Sequence, residues 1–120
     1  MIGRIVKSFQ AAGRGLKYAF INEQNFRLQF VIGLLALALA AYFPRRQWEK
    51  VLVLFLVALV LAMELLNTAL ERFADLLKPR LNTYVLLIKD IMAGAVLLLS
   101  LAAGLIGLII FYPYFISLVK

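Results

Sequence analysis

From Ile91 to Val119 the chain runs for 29 residues without a charged side chain. As a helix that stretch is about 43 Å long, more than the ~30 Å hydrocarbon slab of a bilayer. A soluble domain of 120 residues has no interior large enough to hide it. Two further runs repeat the pattern. Leu28 to Phe43 is uncharged until Pro44-Arg45-Arg46 stops it, and Val51 to Met63 is uncharged until Glu64. The first of these is short for a crossing, so it borrows a turn from Asn25-Phe26. Charged residues make up 16% of the chain, against about 25% in soluble domains. The expected fold is an all-α membrane protein forming one domain over 1–120. A surface helix over 1–26 precedes transmembrane helices over 27–43, 51–71 and 91–116.

The surface helix is amphipathic. Ile2, Ile5, Phe9, Ala12, Leu16 and Phe20 recur in steps of three or four, and the basic residues fall mainly on the other side. Such a helix lies in the headgroup plane with its cations near anionic lipid. The net charge of +7 therefore points to a lipid surface and not to nucleic acid. No small-residue cleavage site follows a short apolar core, so the segment does not read as a signal peptide.

The basic residues also set an orientation. Arg4, Lys7, Arg14, Lys17 and Arg27 share a side with Arg72, Lys78, Arg80 and Lys89, whereas Arg45, Arg46, Lys50 and Lys120 fall on the other. The positive-inside rule places the N-terminus and the 71–90 segment in the cytoplasm, in a multi-pass protein of the inner membrane. Tyr42, Phe43, Trp48, Phe111, Tyr112, Tyr114 and Phe115 then form an aromatic belt at the outer face. Gly94, Gly104 and Gly107 are expected to let membrane helices approach closely.

With neither cysteine nor histidine, thiolate and imidazole chemistry is excluded, and a metal must be held by oxygen ligands, which favours Mg²⁺. The most informative segment is Glu64-Leu65-Leu66-Asn67-Thr68-Ala69-Leu70-Glu71-Arg72-Phe73-Ala74-Asp75. At about 100° per residue, Glu64, Asn67, Thr68, Glu71 and Asp75 share one stripe, with leucines elsewhere. A carboxylate at that depth costs roughly 2.5–3.5 kcal/mol. Such groups can serve packing through hydrogen bonds. They can also form a site, supplying metal ligands and a proton acceptor. Glu23, ending the surface helix, and Lys89-Asp90, opening the third span, sit at matching depth and suggest phosphate handling. Phosphoryl transfer asks for Mg²⁺ on the polyphosphate, cations on developing charge, and a base near the attacking hydroxyl. No Gly-rich phosphate loop is present. The alternatives are a small cation-coupled transporter using Glu64, and a non-catalytic assembly subunit.

Four motifs carry a resemblance: Ser8-Phe9 with Gly15 and Ala19; Asn22-Glu23-x-Asn25-Phe26-Arg27; Met63-Glu64-Leu65-Leu66-Asn67-Thr68-Ala69-Leu70-Glu71; and Lys89-Asp90 with Ala93-Gly94-Ala95-Val96. Together, over roughly residues 4–100, they resemble the prokaryotic diacylglycerol kinase family, which includes the undecaprenol kinases. The resemblance implies an integral-membrane lipid kinase, a homotrimer with sites shared between subunits, that uses ATP and Mg²⁺ to phosphorylate a lipid alcohol. It implies that Glu64 is the general base, that Glu23 and Glu71 hold Mg²⁺, and that Asn67 positions base or substrate. It further implies that Lys89 neutralises phosphate charge, that Asp90 contacts nucleotide or orients the lysine, and that Arg4 touches substrate and nucleotide. One departure lies before Lys89, where Asn82-Thr83-Tyr84 replaces the family's histidine-containing loop and its nucleotide contacts. Gln29 stands where the diacylglycerol branch has an acidic residue, and Ser8-Phe9 with Asn25-Phe26-Arg27 look like the undecaprenol branch.

Overall fold

The computed structural model describes residues 1–43, 46–77 and 82–119 as four helices and no strand among them. Helix α1 covers Ile2–Asn22, α2 covers Gln24–Tyr42, α3 covers Gln47–Leu77 and α4 covers Asn82–Val119. Three are long and apolar enough to cross a membrane, with mean hydropathies of 1.5 for α2, 2.4 for α3 and 2.6 for α4. Most large apolar side chains on these helices are exposed, as lipid-facing residues must be.

The helices do not end where the apolar runs end. The first stops at Asn22 instead of 26, because Glu23 adopts an extended backbone (φ −112°, ψ 111°) that turns the chain into α2. Arg27 stabilises that elbow. Its Nη1 donates to the carbonyl oxygens of Phe20 at 2.9 Å and Ile21 at 2.7 Å, two acceptors left over at the end of α1. Helices α3 and α4 run well past a ~30 Å slab. Their surplus carries Glu71, Arg72, Asp75, Lys89 and Asp90 on rigid helix at the elbow end.

Helix α3 is central, packed against both α2 and α4. At the end away from the elbow, Ala40, Phe43, Val53, Ile110, Phe111 and Tyr114 form the buried core. The rings of Phe43 and Tyr114 lie 4.7 Å apart, and Phe115 meets Phe43 edge-on at 6.0 Å. Tyr114 also donates to Glu49 Oε1 at 3.0 Å, which ties α4 to the first turn of α3. Part of the expected belt is thus a packed cluster, whereas Trp48 and Tyr112 remain exposed.

Within one chain the glycines of α4 have no close helix neighbour. A Cβ at Gly94, Gly104 or Gly107 would meet nothing within 4 Å, so these glycines bring no helices together inside one chain. Gly33 does. A Cβ there would lie 2.7 Å from Val57 Cγ1, so α2 packs onto α3 through a position that sequence reading passed over.

Candidate active site

Glu64 is 4% exposed in α3, and Thr68, one turn on, is also buried. The Thr68 hydroxyl donates to the Glu64 backbone carbonyl at 3.0 Å, which satisfies the threonine and leaves the carboxylate untouched. Glu64 Oε2 is buried and has no hydrogen-bond partner among the described residues. On the next turn Asn67 Nδ2 donates to Glu71 Oε1 at 3.0 Å. Asn67 therefore fixes a carboxylate, while Glu71 and Glu23 lie close enough for their charges to act on Glu64.

Beyond this group runs a chain of opposite charges. Arg72 donates from Nη2 to Glu23 Oε2 at 2.7 Å and from Nε to the Tyr18 hydroxyl at 2.8 Å. Its Nη1 stands 3.7 Å from Asp75 Oδ2, and Lys89 Nζ donates to Asp75 Oδ1 at 3.0 Å. Glu23, Arg72, Asp75 and Lys89 thereby join the elbow, α3 and α4 at one end of the bundle. Arg72 and Tyr18 were missed from sequence. Their contact spans 54 positions, and no local spacing announces it.

The expected residues are not all treated alike. Glu23, Glu64, Asn67 and Glu71 come together around the elbow and α3. Among the described residues Lys89 joins them through Asp75, and its ammonium group is not bonded to any of the three glutamates. Asp90 is exposed beside it. Arg4 is exposed on the first turn of α1, about 21 Å along that helix from Tyr18, so one chain does not bring it to the cluster. The Arg80 to Asn82 stretch expected to touch nucleotide falls outside the described residues, apart from the backbone of Asn82.

A divalent cation can be tested against these donors. Among the described residues no three acidic side chains stand together as a ready-made cage. Mg²⁺ seldom needs one, since one or two carboxylates with phosphate oxygens and waters suffice. Glu23 and Glu71 are the carboxylates that would supply it. Each uses one carboxylate oxygen in the bonds above, Oε2 of Glu23 and Oε1 of Glu71, and has a second.

Comparison with known proteins places the chain in a family. The family model described as prokaryotic diacylglycerol kinase matches residues 10–111. The chain is similar to a diacylglycerol kinase of Synechocystis, at 33% identity over 95% of this chain and 66% of that protein. It is similar to the undecaprenol kinase of Bacillus subtilis, at 31% identity over 93% of this chain and 91% of that protein. A diacylglycerol kinase of Escherichia coli gives 31% identity over 93% of this chain and 92% of its own length. Identities this even do not separate one acceptor from the other. A match over most of the chain, with Glu23, Glu64, Glu71, Asp75 and Asp90 towards one end of three apolar helices, leads to one assignment: the chain belongs to the prokaryotic diacylglycerol kinase family, a family of lipid kinases.

Proposed function

We propose that the protein transfers the γ-phosphoryl group of ATP to the hydroxyl of a membrane lipid alcohol, undecaprenol before diacylglycerol, at the cytoplasmic face of the inner membrane. The observation that carries this reading is Glu64, a buried carboxylate with an unpartnered oxygen, one to two turns from the Asn67–Glu71 pair and near Glu23. Glu64 accepts the proton of the lipid hydroxyl as its oxygen attacks phosphorus. Asn67 orients Glu71. Lys89 turns from Asp75 towards the polyphosphate and offsets its charge, with Asp90 beside it and Arg4 supplied by a neighbouring subunit of a homotrimer. Mg²⁺ held by Glu23 and Glu71 would screen the nucleotide's charge during transfer. Holding both substrates in one geometry supplies much of the rate. The family match favours phosphotransfer over a cation-coupled transporter built on Glu64.

The test is label transfer from γ-labelled ATP by the purified protein, with undecaprenol and diacylglycerol supplied side by side. The expected result is labelled undecaprenyl phosphate in excess, abolished by a metal chelator and restored by Mg²⁺. Label on diacylglycerol alone would reverse the acceptor, and label on neither would end the kinase reading.

A further inference from the structure

Arg72 has more donors than partners among the described residues. Its Nε donates to the Tyr18 hydroxyl at 2.8 Å and its Nη2 to Glu23 Oε2 at 2.7 Å, which occupies one edge of the guanidinium. Nη1 carries two more N–H groups and stands 3.7 Å from Asp75 Oδ2, too far for a hydrogen bond. The side chain is 46% exposed, so protein does not close over that second edge.

Asp75 joins this edge to a second cation. One carboxylate oxygen faces Arg72, and the other accepts from Lys89 Nζ at 3.0 Å. Two cations from two helices are thus held on either side of one carboxylate. Each of the three side chains is partly exposed, and ion pairs of that kind are weak, so a competing anion displaces the carboxylate at little cost. Glu23 and Glu71 add negative charge close by, and an incoming polyphosphate is repelled there unless a cation turns to it.

We propose that Arg72 is a phosphate-contacting residue: braced by Tyr18 and Glu23, it presents Nη1 beside Lys89 to the polyphosphate of the nucleotide, which takes the place of the Asp75 carboxylate between them. The proposal rests on the kinase reading above. A phosphate offers more charge than a carboxylate, and its oxygens match the planar fork of arginine, whereas Lys89 supplies a point charge. The brace matters because a guanidinium already tied at two nitrogens loses less rotamer freedom when it binds. Depth selects which phosphates are held. Arg72 lies eight residues from Glu64, about 12 Å along α3, so its fork suits the phosphates that stay on the nucleotide and not the one that is transferred.

The test uses the full-length protein in detergent micelles. Binding of ADP, and of adenosine as the control without phosphate, is measured with Mg²⁺ and with a chelator, beside KM and kcat for ATP. Losing a charge-assisted hydrogen bond is expected to cost roughly 10- to 100-fold. Arg72→Gln should weaken ADP binding and raise the ATP KM by that factor, with kcat falling far less and adenosine binding within about twofold. The loss should persist in chelator. Arg72→Lys, which keeps the charge without the fork, should recover part of it. Unchanged ADP binding in Arg72→Gln would overturn the contact and leave the kinase reading intact. A loss confined to Mg²⁺ would also overturn it, because Arg72 would then act through Glu23, and so would a parallel loss of adenosine binding, the mark of a disturbed elbow. ADP binding that Arg72→Gln weakens selectively, in a protein whose native form transfers no phosphate to lipid, would uphold the contact and sink the kinase reading.

Discussion

Arg72 does more for the site than its exposure suggests. Its guanidinium holds Tyr18 and Glu23 on one side and approaches Asp75 on the other, a use of the planar fork that lysine cannot copy. Exposed ion pairs contribute little to stability, so Arg72→Ala should leave the melting temperature nearly unchanged. Its effect should be local: faster amide exchange at residues 18–23, with α3 and α4 unchanged. Unaltered exchange at the elbow would show that Arg27 alone holds it. The residues that line α3 were legible beforehand, because Glu64, Asn67, Thr68, Glu71 and Asp75 depend only on helical periodicity. Arg72 was not, since it stands about 80° around the helix from Glu64, and its partners depend on where α1 lies.

At the scale of the elements, the decisive contact is Gly33 on Val57. A larger residue at position 33 must push α2 off α3, and overpacking of this kind costs about 1–3 kcal/mol. Gly33→Leu should lower the melting temperature of the solubilised protein, and adding Val57→Ala should recover part of the loss. No loss in Gly33→Leu would mean that the two helices are not in contact there. The apolar runs of the sequence made all three long helices legible, since nothing else satisfies the backbone in lipid. Their ends were less so. Charges end an apolar run without ending a helix, and α3 continues through Glu64 and Glu71 to Leu77 because leucine, alanine and glutamate all favour helix. The glycines of α4 show where an approach is possible, and no partner from the same chain is there.

The whole molecule is polar at two ends of different character. One carries the elbow, the acidic residues and the basic α1; the other carries the aromatic cluster and Glu49. With the elbow end in the cytoplasm, a cysteine introduced at Lys17 should resist a membrane-impermeant thiol reagent in intact cells, and one at Arg46 should react. The native chain has no cysteine to confuse the labelling. The reverse pattern would turn the protein over and leave its acids on the side without ATP.

The central claim is that the buried Glu64 carboxylate takes the acceptor's proton, and Glu64→Gln tests it most directly because glutamine keeps the shape and removes the base. Turnover of purified Glu64→Gln with γ-labelled ATP and lipid alcohol should fall roughly 10²- to 10⁴-fold, with ATP binding in the presence of Mg²⁺ and the oligomeric state unchanged. Turnover within a few-fold of the native protein would contradict the account.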